Sequence, residues 1–168
     1  MQGLIHGHGV ATVDTFMFIF SGVRSGGRSN LLERIDTTSG ECKTLGAVAG
    51  VTGTVPSARS GMGFVSWNRI LYVFGGLGGS QYGVSLNDLH AFDTTHKTWV
   101  QLNSSTGVSG LPPSKAQHMG FTAQNGFLWV TFGWEMMSNP GADAHHSKYD
   151  ISSKTWSVLS SAPLTLLG

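Results

Sequence analysis

Histidine, aspartate and cysteine are where chemistry is first sought in these 168 residues. His6 and His8 stand two apart. On a strand both would project from one face, as metal ligands do, but no third ligand accompanies them. His145 and His146 are adjacent and would project to opposite faces of a strand, so they do not chelate together. Asp143 beside them would raise the pKa of a neighbouring imidazole and make it pH-sensitive. Asp36, Asp93 and Asp150 each precede turn residues, where a carboxylate caps backbone N–H groups. Cys42 is the one cysteine, which excludes an intrachain disulfide and a zinc site of cysteine pairs. No nucleophile elbow and no phosphate loop occurs. The residue types therefore predict no catalytic group, no metal and no cofactor. Asn103-Ser104-Ser105 is a glycosylation sequon, meaningful only in a secreted chain.

Residues suited to holding a partner are easier to find. Trp, Tyr and Arg anchor protein interfaces, and methionine suits an adaptable contact surface. Arg24, Arg28, Tyr82 and the run Trp134-Glu135-Met136-Met137 are the candidates. The composition restricts what that partner is. The formal net charge is +1 with no basic patch, which favours neither nucleic acid nor an anionic membrane. The longest aromatic-aliphatic run, Phe16 to Phe20, is far short of a membrane span. The start, Met1 to His6, lacks the basic and apolar regions of a signal peptide. One cysteine and no such leader lean towards an intracellular location without fixing it. Hydrophobic residues at 40% argue against disorder. Gly at 24 of 168 fits an all-β chain with many tight turns.

The elements that must carry these residues come from a repeat. Asp36, Asp93 and Asp150 are spaced by 57 and 57, as are Cys42, Trp99 and Trp156. Met62-Gly63-Phe64 recurs 57 later as Met119-Gly120-Phe121. In the first copy the early part is offset by 54, so that Phe18 to Gly22 matches Tyr72 to Gly76. Each copy reads as four short strands, with no helix. They are 8–13, 16–21, 31–36 and 42–45, then 61–67, 70–75, 88–93 and 98–102, then 118–123, 127–132, 145–150 and 155–159. Asn125-Gly126 is the strongest hairpin signal, both residues tolerating positive φ. Gly75-Gly76 marks a close approach of backbone to a neighbouring strand or blade, degraded to Ser21-Gly22 and Phe132-Gly133 in the outer copies.

The middle copy, residues 56–102, resembles a kelch repeat, one blade of a β-propeller. The resemblance rests on Tyr72 to Phe74 running into Gly75-Gly76, then Phe92-Asp93 and Trp99. Gly22, Gly133, Asp36, Asp150 and Trp156 carry it to the outer copies, while Cys42 departs from the Trp. It implies an all-β propeller segment of three four-stranded kelch-like blades, an incomplete ring. The single segment covers 1–168, with blades over about 8–45, 56–102 and 113–159. In such blades the loops 23–30, 46–56, 77–87, 103–113 and 134–144 fall on one side of the disc. Loops on a rigid scaffold carry binding residues, which makes this side the expected binding face.

Propellers typically have about four to eight blades, so three leave bare ends. A blade face of four strands about 4.8 Å apart and roughly five residues long spans about 320 Å². Covering it is worth roughly 8 kcal/mol at about 25 cal/mol per Å². The expectation is that these blades were cut in frame from a longer propeller, or that another subunit covers them. The resemblance thus implies a protein-interaction or scaffold module, with protein partners up to a large multi-subunit complex. The alternative is part of a carbohydrate-active or small-molecule enzyme of the galactose-oxidase-like class, its catalytic residues outside the segment. The copper site of galactose oxidase needs a Tyr crosslinked to a Cys, and Cys42 stands in the Trp position of a strand, where it is expected in the core. The iron motif of nitrile-forming specifier proteins is absent, because Asn139 and Asp143 follow Glu135 where Asp and His are required.

Overall fold

A computed structural model describes residues 4–79, 83–131 and 146–159. Three antiparallel sheets follow one another along the chain. Blade one holds β1 (Gly9–Val13) and β2 (Phe16–Phe20). A small side hairpin of β3 (Val23–Arg24) and β4 (Gly27–Arg28) comes next, then β5 (Leu32–Asp36) and β6 (Cys42–Leu45). Blade two is preceded by the two-residue β7 (Thr52–Gly53) and β8 (Arg59–Ser60). Its main strands are β9 (Gly63–Trp67), β10 (Ile70–Gly78), β11 (Val84–Asp93) and β12 (Thr98–Leu102). Blade three is β13 (Gly120–Gln124), β14 (Phe127–Thr131), β15 (His146–Asp150) and β16 (Thr155–Leu159). The chain is thus an open, three-blade propeller segment.

Burial alternates along the strands of the outer blades, whereas β10 of the middle blade is buried on both sides. Along β14 the burial runs out-in-out-in-out, with Leu128 and Val130 inward. Phe18, Phe20 and Leu32 of blade one pack on Phe64, Leu71, Val73, Phe92 and Trp99 of blade two. The reverse face of blade two presents Tyr72, Phe74 and Leu89 to Leu128, Val130, Tyr149 and Trp156 of blade three. Main-chain bonds repeat with the packing. Gly61 N–H donates to Gly7 O, and His118 N–H to Gly61 O. Gly22 N–H donates to Arg59 O, and Gly76 N–H to Ala116 O.

Two features differ from the sequence expectation. β10 and β11 run on beyond residue 75 and shorten the 77–87 loop to a tip. A register shift between Phe74 and Gly76 lets the hairpin pass the glycine pair. The segments 46–56 and 103–113 each contain a single 3₁₀ turn, Ala47–Ala49 and Ser104–Thr106. Each then lies along the outer strand of the next blade. β7 pairs in parallel with β12, and Ser109 bridges to Thr155 in the same way. Gly53 and Gly110 are required there: a Cβ on either would lie 2.0 or 2.2 Å from the carbonyl oxygen of Trp99 or Trp156. The sequon residue Asn103 caps the second 3₁₀ turn, its side chain accepting from Ser105 N–H.

The glycine pair has two unlike members. Gly75 (φ 61°) matches Ser21 (φ 66°), so a side chain is tolerated in that conformation. The Ser21 hydroxyl reaches Ser29 O and Arg59 O and accepts from Arg59 N–H. Around Gly75 the counterpart carbonyls, Leu86 O and Ala116 O, lie 3.0 and 2.8 Å from a built Cβ. Gly76 (φ 96°) instead faces Met62 Cβ at 2.8 Å. Gly75→Ser is expected to lose less than Gly76→Ser, because Ser21 holds the same conformation in blade one, but Ala116 O, Met119 Cε and Leu86 O must shift to admit the Cβ. Gly76→Ser is expected to lose at least about 1–3 kcal/mol from backbone strain alone. Urea denaturation of both variants checks the order; equal losses would remove the distinction.

Candidate functional site

The long-loop side is built from the β3–β4 hairpin of blade one and the β10–β11 tip of blade two. Arg24 and Arg28 both lie on the small hairpin. Arg24 is turned inward, its Nη2 2.6 Å from Glu33 Oε2 on β5. Arg28 reaches sideways, donating from Nη1 to Gly79 O at 3.2 Å and from Nε to Ser60 Oγ at 3.4 Å. It ties the hairpin of one blade to the tip of the next. Both side chains remain half-buried at the surface. Tyr82, Trp134, Glu135 and Met136, with Gly133, lie outside the described residues.

Beneath this side sits a polar node that the sequence reading passed over. Arg59 is 0% exposed, yet all five of its N–H groups find acceptors. Nη1 and Nη2 grip Asp88 Oδ1 and Oδ2 at 2.6 and 2.8 Å. Gly75 O, Ser57 O and Ser57 Oγ take the rest, each at 3.0 Å. His90 Nε2 lies 2.8 Å from Asp88 Oδ2. Burial pushes the Asp88 carboxyl up, but bonds from Arg59 and His90 outweigh it and hold the group well below the usual carboxylate range. The signal was present in the repeat. Positions 59 and 88 are Arg and Asp in the middle copy, Ile5 and Leu31 in the first, and Ala116 and His145 in the third. Opposite charges that appear together in one copy alone mark a pair.

The short-turn side carries the three aspartates. Asp36 accepts from Thr38 N–H and Ser39 N–H, Asp93 from Thr95 N–H and His96 N–H, and Asp150 from Ser152 N–H and Ser153 N–H. Each carboxyl is lowered, most by the side chains of Thr38, His96 and Ser152 respectively. These groups shape turns, Asp36 and Asp150 through Oδ1 and Asp93 through both oxygens. Between blades one and two an ion pair closes this side, Arg69 Nη2 to Asp14 Oδ2 at 2.8 Å. Between blades two and three Asn68 and Gly126 stand at those positions, and a shallow cleft lined by Trp67, Asn125 and Ile151 remains.

Trp99 and Trp156 are structural, 2% and 4% exposed at the blade junctions. Cys42, at the matching position, is exposed and not in the core as its strand position suggests, because it stands on the outer face of blade one. Among the described residues no three His, Cys, Asp or Glu side chains gather to hold a metal. No helix among them is long and apolar enough to cross a membrane. Among the described residues of the long-loop side, Arg28 joins the β3–β4 hairpin to the β10–β11 tip.

A family described as the KLHDC2/KLHL20/DRC7 Kelch-repeats domain matches residues 4–165. Kelch domain-containing protein 3 of Rattus norvegicus is 33% identical over 96 residues, 56% of this chain and 24% of that protein. The Homo sapiens protein of the same description is 32% identical over the same length and the same shares. Host cell factor homolog hcf-1 of Caenorhabditis elegans is 26% identical over 133 residues, 76% of this chain and 16% of that protein. The matched stretch spans about a quarter or less of these relatives' own length.

Proposed function

This chain belongs to the kelch-repeat family, and from that premise we propose that it is a non-catalytic protein-interaction module whose long-loop side receives the partner. Residues 8–45, 56–102 and 113–159 act as its repeating units. The observation that carries the reading is the lashing of the β3–β4 hairpin to the β10–β11 tip through Arg28. Loops held in one geometry lose less entropy when a partner binds. Arg28, Tyr82 and Trp134 supply anchor chemistry, with Arg24 orienting the hairpin through Glu33. Glu135 and Met136 are further candidates by residue type. A finer reading is that the chain serves as a scaffold subunit in a larger assembly.

The test is affinity capture with the intact chain, repeated with Trp134→Ala and Arg28→Ala. Each is expected to weaken retention of the captured protein by about thirtyfold, the size of a 2 kcal/mol anchor. Asn68→Ala, on the short-turn side, is expected to leave retention unchanged. Undiminished capture by both anchor variants, or equal loss with Asn68→Ala, would place the contact elsewhere.

A further inference from the structure

On the short-turn side the same repeat positions meet at both blade junctions, but their charges differ. Between blades one and two, Arg69 pairs with Asp14 at 2.8 Å. A second guanidinium, that of Arg34, lies over the Phe16 ring at 4.3 Å, and Phe16 packs on the core of that junction. The turn carboxylate of blade two, Asp93, has its Oδ2 taken by His96 Nδ1 at 2.7 Å.

One repeat later the cations are gone. Gly126 stands in place of Arg69, Ala91 in place of Arg34 and Ser153 in place of His96. Asn68 replaces Asp14, while the turn carboxylate is kept as Asp150. Val13 gives way to Trp67 and Thr94 to Ile151. Trp67, Asn68, Asn125, Gly126, Asp150 and Ile151 line the cleft at this second junction. The space is the place of a side chain: a Cβ built on Gly126 meets nothing within 4 Å.

The lining is chemically one-sided. Trp67 offers an indole, the ring that attracts cations most strongly. Asp150 accepts from Ser152 and Ser153 N–H through Oδ1, and no imidazole takes its Oδ2 as one does in blade two. Asn68 and Asn125 are exposed beside it and carry amide oxygens. The cations nearby are engaged elsewhere. Arg69 reaches Asp14, and Lys154 donates to Thr106 O at 3.0 Å. Lys148 lies over the rings of Phe127 and Trp129, at 4.8 and 5.9 Å. A guanidinium suits such a lining, because it stacks flat on an aromatic ring while donating in its own plane to oxygen acceptors. The cleft volume, about 270 Å³, lies below the roughly 300–1,000 Å³ of small-molecule pockets, which fits one side-chain head rather than a whole ligand.

We infer that this cleft receives a guanidinium group, presented by an arginine side chain of a protein partner. The incoming group takes the place that the chain's own Arg69 fills one junction earlier. Its apolar stem lies along Trp67 and Ile151, and its N–H groups reach Asp150 and the two asparagines. This contact is separate from the long-loop side and does not draw on that reading.

The test is titration of the intact chain with the blocked peptide acetyl-Gly-Arg-Gly-amide, followed by the indole N–H resonance of Trp67, which Trp67→Phe assigns. A saturable shift is expected, with a Kd of about 1 mM, the scale of a single charged contact. The same peptide with citrulline, which keeps the shape and loses the charge, is expected to leave the resonance in place. Methylguanidinium at equal ionic strength is expected to compete, but to bind at least about threefold more weakly because it lacks the stem. Asp150→Asn keeps the oxygen that holds the turn and is expected to weaken the peptide at least about tenfold, whereas Asn68→Asp is expected to tighten it about tenfold. Gly126→Arg is expected to abolish binding by filling the cleft from within. Arg69 already holds the left-handed conformation it needs, at φ 64° against 80° for Gly126. If Gly126→Arg fails to fold, the Asp150 and Asn68 variants decide. Absence of a saturable shift, an equal response to the citrulline peptide, or affinity unchanged by Asp150→Asn and Asn68→Asp would overturn the inference. Methylguanidinium binding as tightly as the peptide would overturn the protein source.

Discussion

Asp88→Ala is expected to destabilise the protein by about 3–5 kcal/mol, the effect of stranding a buried charge. Arg59 is fully buried, and the Asp88 carboxylate occupies both of its Nη groups. Removing the carboxylate leaves the guanidinium without its counter-charge and with two Nη acceptors lost. The magnitude belongs to the orphaned partner rather than to the pair. Arg59→Ala combined with Asp88→Leu, which restores residue types found in the other copies, is therefore expected to lose less than Asp88→Ala alone. Urea denaturation of the three proteins measures this; a double variant no better than the single one would show that the node does not isolate a charge. The pH dependence has a definite sign. The folded carboxyl is depressed below its unfolded value of 3.8, so its contribution is complete above that pH and is lost as pH falls towards the folded value. Acid unfolding of the parent should steepen below pH 3.8, and Asp88→Asn should flatten that limb.

Phe74→Ala is expected to cost about 3–5 kcal/mol and to split one unfolding transition into two. Phe74 is 0% exposed, at the centre of the rings that join blade two to blade three. Its loss removes contacts to both Phe121 and Trp156, while each blade keeps its own ladder. Blade three should then unfold at lower denaturant than blades one and two, because nearest-neighbour contact is what couples stacked units. Tryptophan fluorescence and far-ultraviolet circular dichroism should give non-coincident curves. A single transition with a loss below about 1 kcal/mol would mean that the rings do not couple the blades.

The repeat was legible because it is a matter of spacing. Asp36, Asp93 and Asp150 mark the same turn in each unit, and the short apolar runs between them, as in Ile70 to Phe74, follow from strands packed on both sides. What escaped was structure without periodicity. The two-residue pairing of Thr52-Gly53 with Thr98-Trp99 is too short to leave a pattern. The extension of β10 past Gly75-Gly76 is hidden because a bulge and a loop use the same residues. Arg24 and Arg28 read as free anchors, but composition does not reveal that Glu33 and Gly79 O engage them. The Arg59–Asp88 pair was readable, given attention to where one copy breaks the pattern of the others.

The parallel contact between β7 and β12 has a mechanical consequence. The segment leaving blade one does not pass freely to blade two; it is clipped along that blade's outer strand by Thr52 N–H to Lys97 O and Thr54 N–H to Trp99 O, each at 3.0 Å. Ser109 N–H to Lys154 O and Trp156 N–H to Ser109 O, also at 3.0 Å, clip the next connection in the same way. Under tension applied at the two ends, the load on each connection reaches the outer edge of the following sheet before it reaches that sheet's first strand. The clips must shear before the blades can be drawn apart, and the chain resists stretching as overlapping shingles do rather than as beads on a string.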